Sequence, residues 1–191
     1  MPKTTCLLIL ILALAVFLRI WGINYGLPYF LIDDERTLVY TSLKMAELKT
    51  LIPSFHPEEF KITFYAPLMS YIYLLFLTPF ILIKYLFGPF SNFKELAGYF
   101  VLNPSPLWLI ARVVNVSMGV GAVYLVYSIG KKACNTWTGL IAAALLAFSF
   151  YNVQFSHSTK PWGPAVFFVC LIMLSSLYIF KKPERKHYLW A

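Results

Sequence analysis

Hydrophobic residues in this chain are grouped into five long runs, separated by short polar segments and by one long stretch of mixed polarity. The runs lie at roughly 5–22, 64–87, 107–130, 138–156 and 163–180. Each approaches the length of about 20 residues that a helix needs to cross a bilayer. The pattern therefore predicts an all-α integral membrane protein.

Composition supports that class. Of the 191 residues, 60% are hydrophobic and 13% are charged, whereas a soluble domain is about half apolar and a quarter charged. The net charge of +8 does not indicate nucleic acid, because the basic residues gather at the ends of apolar runs, where orientation signals lie. Cys6, Cys134 and Cys170 lack metal-ligand spacing and are predicted to be free thiols.

The first run is predicted to be an uncleaved transmembrane helix. Lys3 precedes the apolar letters CLLILILALAVFL, as in a signal peptide. However, Arg19, Ile20 and Trp21 follow the run, where a cleavage site needs small residues.

The basic residues beside the runs predict which run does not cross the membrane. If all five runs cross from a cytoplasmic N-terminus, both Lys131–Lys132 and the cluster at 181–186 lie outside. If the run at 64–87 stays on the outer surface, both lie inside with Lys3, as the positive-inside rule favours. We therefore predict about four transmembrane helices in a cell membrane, a cytoplasmic N-terminus and a long first extracytoplasmic loop at 22–106.

Two parts of that loop are predicted to form juxtamembrane helices. The run at 64–87 has Pro79 in its interior and Lys84 near its end, which favours a pair of short helices along the outer surface; one kinked transmembrane helix is the alternative. Residues 37–52 carry apolar side chains at helical spacing, namely Leu38, Met45, Leu48 and Ile52. This spacing predicts an amphipathic helix that lies on the membrane.

Three consecutive acids, Asp33, Asp34 and Glu35, precede that helix in a chain that has only eight acidic residues. The structural interpretation is helix capping, since Asp is a preferred N-cap residue and acids in a first turn complement the helix dipole. The functional interpretation is a general base at the membrane surface, where desolvation and neighbouring acids raise the pKa of a carboxyl group.

The segment LRIWGINYGLPYFLIDDERTLVYTSLKM, which contains these acids, resembles the start of the GT-C glycosyltransferases that use polyprenyl-phosphate sugars. Within them it is most similar to the protein O-mannosyltransferase and aminoarabinose transferase branch, in which an Asp-Glu pair opens the first extracytoplasmic loop. Asp34–Glu35 match that pair. FYAPLMSYIYLLF resembles the family's Pro-Pro-Leu juxtamembrane helix, with Ala66 in place of the first proline, and residues 111–157 are similar to the next helical hairpin.

The resemblance implies a membrane glycosyltransferase that moves a sugar from a polyprenyl-phosphate carrier to an acceptor hydroxyl of a protein, lipid or glycan, with inversion. It implies Asp34 as the general base and Glu35 as a residue that orients the acceptor or supports the loop. Family members are commonly longer, so that 1–191 is expected to be a single transmembrane domain, the N-terminal part of a longer module, and inactive alone. The alternative is a non-catalytic membrane protein, such as a transporter subunit or an assembly factor.

A leaving phosphate needs cations or hydrogen-bond donors. The candidates, with Asp33 as a further substrate-binding residue, are Arg36, Arg112, Asn115, His157 and Lys160. Each also has a structural interpretation: Arg36 pairs with a neighbouring acid, Arg112 snorkels to the interface, and Lys160 is an exposed interfacial lysine.

No organic cofactor is implied. His56, Glu58 and Glu59 are residue types that bind divalent metals, but a solvated loop is the favoured interpretation, and no metal ligand is assigned.

Overall fold

The computed structural model describes residues 3–29, 31, 34–61 and 65–181. Within these ranges the chain forms eight α-helices and one short 3-10 helix, with no strand. The helices are α1 (Lys3–Ile20), α2 (Arg36–Leu48), α3 (Leu68–Phe87), α4 (Phe93–Leu102), α5 (Ser105–Ala133), α6 (Thr136–Ala147), α7 (Phe150–Ser156) and α8 (Trp162–Lys181), and the 3-10 helix is Pro53–Phe55. The predicted all-α class is confirmed.

Four helices in the described part of the chain, α1, α3, α5 and α8, are long and apolar enough to cross a membrane. This count agrees with the expected number of about four, although α3 takes the place of the run at 138–156 among the four. Several apolar helices of this kind indicate a multi-pass membrane protein. The orientation of the chain remains a prediction.

The predicted pair of short helices at 64–87 is wrong, because α3 is one continuous helix that passes through Pro79. Proline is tolerated inside apolar helices when nearby groups satisfy the backbone that it frees. Pro79 lacks only the N–H that would donate to the Leu75 carbonyl, and α3 continues on both sides of it. The alternative of a single span therefore fits the helix better.

The run at 138–156 was expected to be one span, but it is divided between α6 and α7, which are bent by 60°. Ser149 between them has an extended backbone. This pair is either a broken span or a re-entrant segment.

The chain divides into two compact units, and α5 contributes to both. One unit contains α1, α5 from Asn115 onward, α6, α7 and α8. Its apolar core includes Ala15, Val123 and Leu140. Gly139, Ala143 and Ala147, spaced every four residues along α6, are all buried there, as expected for close helix packing.

The other unit contains α2, α3, α4, α5 up to Val114, and the segment Ser158–Pro161. α2 is amphipathic as predicted, but its apolar residues Leu38 and Met45 are buried in the protein. The Ser42 hydroxyl of α2 donates to the Ser70 carbonyl of α3 at 2.8 Å, and the Ser70 hydroxyl donates to the Leu38 carbonyl at 3.0 Å. The buried face of α2 therefore packs against α3, and does not lie on the membrane as expected.

Candidate active site

The two described acids before α2 have opposite environments. Asp34 is exposed and adopts a left-handed backbone with φ 58°, a conformation that Asp and Asn tolerate better than most residues. Glu35 has a right-handed backbone and is completely buried. The change of backbone conformation between them leaves one carboxylate accessible and the next one inside the protein.

Glu35 forms a bidentate ion pair with Arg112 of α5. The Arg112 Nε and Nη2 atoms donate to the two carboxylate oxygens of Glu35 at 2.6 Å each, and both side chains are fully buried. Arg112 Nη1 also donates to the carbonyls of Ile23 and Tyr25, at 2.5 and 2.9 Å. Paired planar groups of this kind form strong, oriented hydrogen bonds.

This pairing corrects two structural interpretations. Arg112 does not snorkel, because its charge is matched by a buried carboxylate. Glu35 stands at the N-cap position of α2, but its side chain makes no capping hydrogen bond, and the first turn of α2 contains no acid. The carboxylate of Glu35 is therefore used to join two distant segments and not to cap the helix.

Two residues that the sequence did not single out complete the support of Glu35. The Thr159 backbone N–H donates to Glu35 Oε1 at 3.3 Å, and the Thr159 hydroxyl donates to the Glu35 carbonyl. The Tyr73 hydroxyl of α3 donates to the Thr159 carbonyl at 3.0 Å. Thr159 and Tyr73 are both buried. The only sequence signal was the position of Thr159 in the polar loop beside Lys160.

The remaining predicted site residues are distributed between the two units. Arg36 is exposed at the first position of α2, and Lys160 is half-buried directly after Thr159. Asn115 and His157 belong to the unit that contains α1. In that unit Asn115 is buried, and His157 Nε2 lies 3.2 Å from the Leu18 carbonyl oxygen. Asp33 lies outside the described residues.

A second buried arginine, Arg19, lies in the unit that contains α6 and α7. Its guanidinium donates to the carbonyls of Ala15, Ala147 and Leu146 at 3.1, 3.3 and 3.4 Å, and to Asn152 Oδ1 at 2.6 Å. Its Nε has no hydrogen-bond partner among the described residues. In the sequence Arg19 is recognised only as a residue that follows an apolar run, so its role at the α6–α7 break was not predicted.

Two of the three loop residues considered for a metal, Glu58 and Glu59, form exposed ion pairs. Glu58 pairs with Lys61, and Lys44 contacts Glu59 at 2.9 Å and Glu47 at 3.2 Å. Hydrogen bonds from Lys44 lower the pKa of the Glu59 carboxyl, and hydrogen bonds to Glu59 and then Glu47 raise the pKa of Lys44. Across the described ranges, no three His, Cys, Asp or Glu side chains cluster as a metal site would require.

Comparison with known proteins identifies one family. Residues 105–191, a little under half of the chain, match the family model of dolichyl-phosphate-mannose-protein mannosyltransferases. No curated protein and no solved structure matches the chain. Arg112 and Thr159 lie in the matched part, whereas Glu35 does not. The hydrogen bonds that Arg112 and Thr159 make with Glu35 therefore connect the Asp34–Glu35 pair to the matched part. The match supports the resemblance to the GT-C glycosyltransferases and a glycosyltransferase of that type.

Proposed function

We propose that this chain, of which residues 105–191 match the family model of dolichyl-phosphate-mannose-protein mannosyltransferases, transfers a sugar from a polyprenyl-phosphate carrier to an acceptor hydroxyl on the extracytoplasmic side. Asp34 is the general base in this proposal. The single observation that carries it is the contrast between an exposed Asp34 and a fully buried, immobilised Glu35 at the start of α2. The family itself implies the polyprenyl-phosphate-linked donor.

The contacts of Glu35 support different roles for Asp34 and Glu35. Both carboxylate oxygens of Glu35 accept hydrogen bonds from Arg112, so taking up a proton would break a buried ion pair. Glu35 is therefore the supporting residue, and it fixes the backbone on which Asp34 stands. Asp34 has the accessible carboxylate that a substrate hydroxyl can approach.

The proposed step is an in-line displacement. The acceptor oxygen attacks the anomeric carbon while Asp34 takes the proton of the hydroxyl. The bond between that carbon and the phosphate oxygen breaks, the lipid phosphate leaves with the electron pair, and the configuration at the anomeric carbon inverts.

The contacts of Arg112 change the role proposed for it, which was to bind the leaving phosphate. Its guanidinium is used by Glu35 and by the carbonyls of Ile23 and Tyr25. We therefore place Arg112 in the support of the acid pair, and we assign the leaving phosphate to Lys160 and Arg36, which stand in the same unit as Asp34.

The test is Asp34→Asn in the full-length protein, assayed for transfer from a lipid-phosphate sugar. Asn tolerates the left-handed backbone at this position, so the change removes the base and leaves the local conformation. We expect the transfer rate to fall about 10²- to 10⁴-fold, with unchanged thermal stability. The matched control is Glu58→Gln, which neutralises an exposed acid far along the loop and leaves the rate unchanged. A wild-type rate for Asp34→Asn would refute the base assignment.

A further inference from the structure

The unit that contains α2 has a partly open apolar chamber of about 630 Å³, bounded by α2, α3, α4 and the start of α5. Its walls include the aromatic side chains of Phe93, Phe100 and Trp108 and the aliphatic side chains of Leu96 and Leu107. This volume is typical of a small-molecule site. An apolar chamber left empty forgoes the contacts of every side chain that lines it, so an apolar occupant is favoured.

A second, smaller cavity of about 320 Å³ lies next to the chamber, since Tyr40, Leu43 and Glu47 line both. It adds the Lys44 ammonium and the Glu59 carboxylate to the lining. Lys44 lies 2.9 Å from Glu59 and 3.2 Å from Glu47. The two neighbouring cavities, together called the compartment, place an apolar chamber beside a charged mouth that holds one cation and two carboxylates.

We propose that this compartment binds one phospholipid whose head carries a primary amine. One acyl chain fills the chamber, the phosphate contacts Lys44, and the ammonium donates to Glu47 and Glu59. The mouth has a formal charge of −1, which favours a ligand with an ammonium group over an anionic head. A primary ammonium has three N–H donors for the two carboxylates, whereas a quaternary choline has none.

The proposal stands apart from the sugar transfer, because none of the residues that form it belongs to the proposed active site. Asp34, Glu35 and Arg112 line neither cavity. Its success or failure can therefore be measured without an activity assay.

Binding of the lipid's acyl chain in the chamber is tested by native mass spectrometry of the detergent-purified, full-length protein with added phosphatidylethanolamine. Ala97 of α4 and Ala46 of α2 both line the chamber and are exposed to it. We expect Ala97→Phe and, independently, Ala46→Phe to weaken retention of one bound lipid about tenfold or more, since the phenyl group displaces methylenes of the chain. The control is Gly98→Phe, because a Cβ at Gly98 meets no atom within 4 Å. If both Ala97→Phe and Ala46→Phe retained the bound lipid as well as the wild type does, the proposal would be overturned.

The head-binding part is tested with phosphatidylethanolamine, phosphatidylcholine and phosphatidylglycerol that carry the same acyl chains. The wild-type protein is expected to retain the amine-bearing lipid about tenfold better than either of the others, which corresponds to one or two additional charge-assisted hydrogen bonds. Glu47→Gln with Glu59→Gln should abolish this preference while one lipid still binds. Equal retention of the three lipids by the wild-type protein would show that the head assignment is wrong.

Discussion

Among the residues that the structure describes, two arginines are buried, one in each compact unit, and their positive charges are stabilised in different ways. Arg112 faces a carboxylate, and two of its nitrogens donate to Glu35 at 2.6 Å. Arg19 has no acid among its hydrogen-bond acceptors, which are three carbonyls and the side chain of Asn152. Both side chains are fully buried.

The difference lies in what each arginine holds in place. Leu146 and Ala147 lie at the end of α6, where the last carbonyls of a helix lack partners within it and carry partial negative charge. Arg19 supplies donors to those carbonyls, so it stabilises the broken helix. Arg112 instead fixes a loop and the acid pair before α2. Hydrogen bonds to the carbonyls at a helix end can thus stabilise a buried arginine without a carboxylate. In the ion pair, by contrast, removing either side chain leaves the other charge buried without a partner.

The largest loss of stability is expected when only one partner of the Glu35–Arg112 ion pair loses its charge. Glu35→Gln leaves the Arg112 guanidinium buried without a counter-charge, which costs about 3–5 kcal/mol of unfolding free energy. Thermal or denaturant unfolding in detergent measures this loss. The combined change Glu35→Leu with Arg112→Met removes both charges and should recover most of it. A double variant as unstable as Glu35→Gln would contradict the ion-pair explanation.

A smaller loss of unfolding free energy is expected when Arg19 is replaced. Arg19→Met removes the charge together with its hydrogen bonds, so that carbonyls at the end of α6 lose partners but no isolated charge remains. We expect a loss of about 2 kcal/mol, measured under the same conditions. A loss as large as that of Glu35→Gln would show that Arg19 has an acidic partner after all.

The packing around Arg19 offers a narrower test. A Cβ on Gly119 would lie 2.5 Å from Ser156 Oγ and 3.1 Å from Arg19 Nε. We therefore expect Gly119→Ala to destabilise the protein by about 1–2 kcal/mol. Gly98→Ala, on an open face of α4, should instead leave stability unchanged or raise it by up to about 1 kcal/mol. Equal effects of the two substitutions would contradict the close approach of α5 to Arg19.

The exposed pair of Lys44 and Glu59 should have the smallest effect, because solvent and salt screen it. The pKa of Glu59 is lowered, so its contribution is present at neutral pH and is lost as the pH falls through that pKa. The pKa of Lys44 is raised, so the same contribution is lost as the pH rises through that pKa.

Melting temperatures measured against pH, for the wild type and for Glu59→Gln, test this expectation. The difference between the two proteins should be small, confined to the range between the two pKa values, and weaker in high salt. A difference that persists under acidic conditions would assign the effect of Glu59 to packing.

The sequence predicted those features that local spacing controls. The apolar runs indicated the helical membrane class, and the spacing around Leu38 and Met45 predicted α2. Arg112 was recognised as a candidate because a charge within an apolar run needs a partner.

The features that the sequence missed depend on contacts between distant segments. No spacing rule connects Glu35 with Arg112, or Arg19 with the end of α6. The prolines in 64–87 favoured a break that the structure does not have, since α3 continues through Pro79. The roles of Asp34, Glu35 and Lys160 in catalysis remain predictions, and the Asp34→Asn experiment addresses the first of them.

The distance along the chain between Glu35 and its partners has a consequence for biosynthesis. Arg112 follows Glu35 by 77 residues and Thr159 by 124. A ribosome adds about 5–20 residues per second, so the last of these partners emerges roughly 6–25 s after Glu35 itself. Until Arg112 has emerged the carboxylate has to stay hydrated, since an isolated charge cannot be buried. The start of α2 is therefore among the last parts of its unit to be completed as the nascent chain emerges.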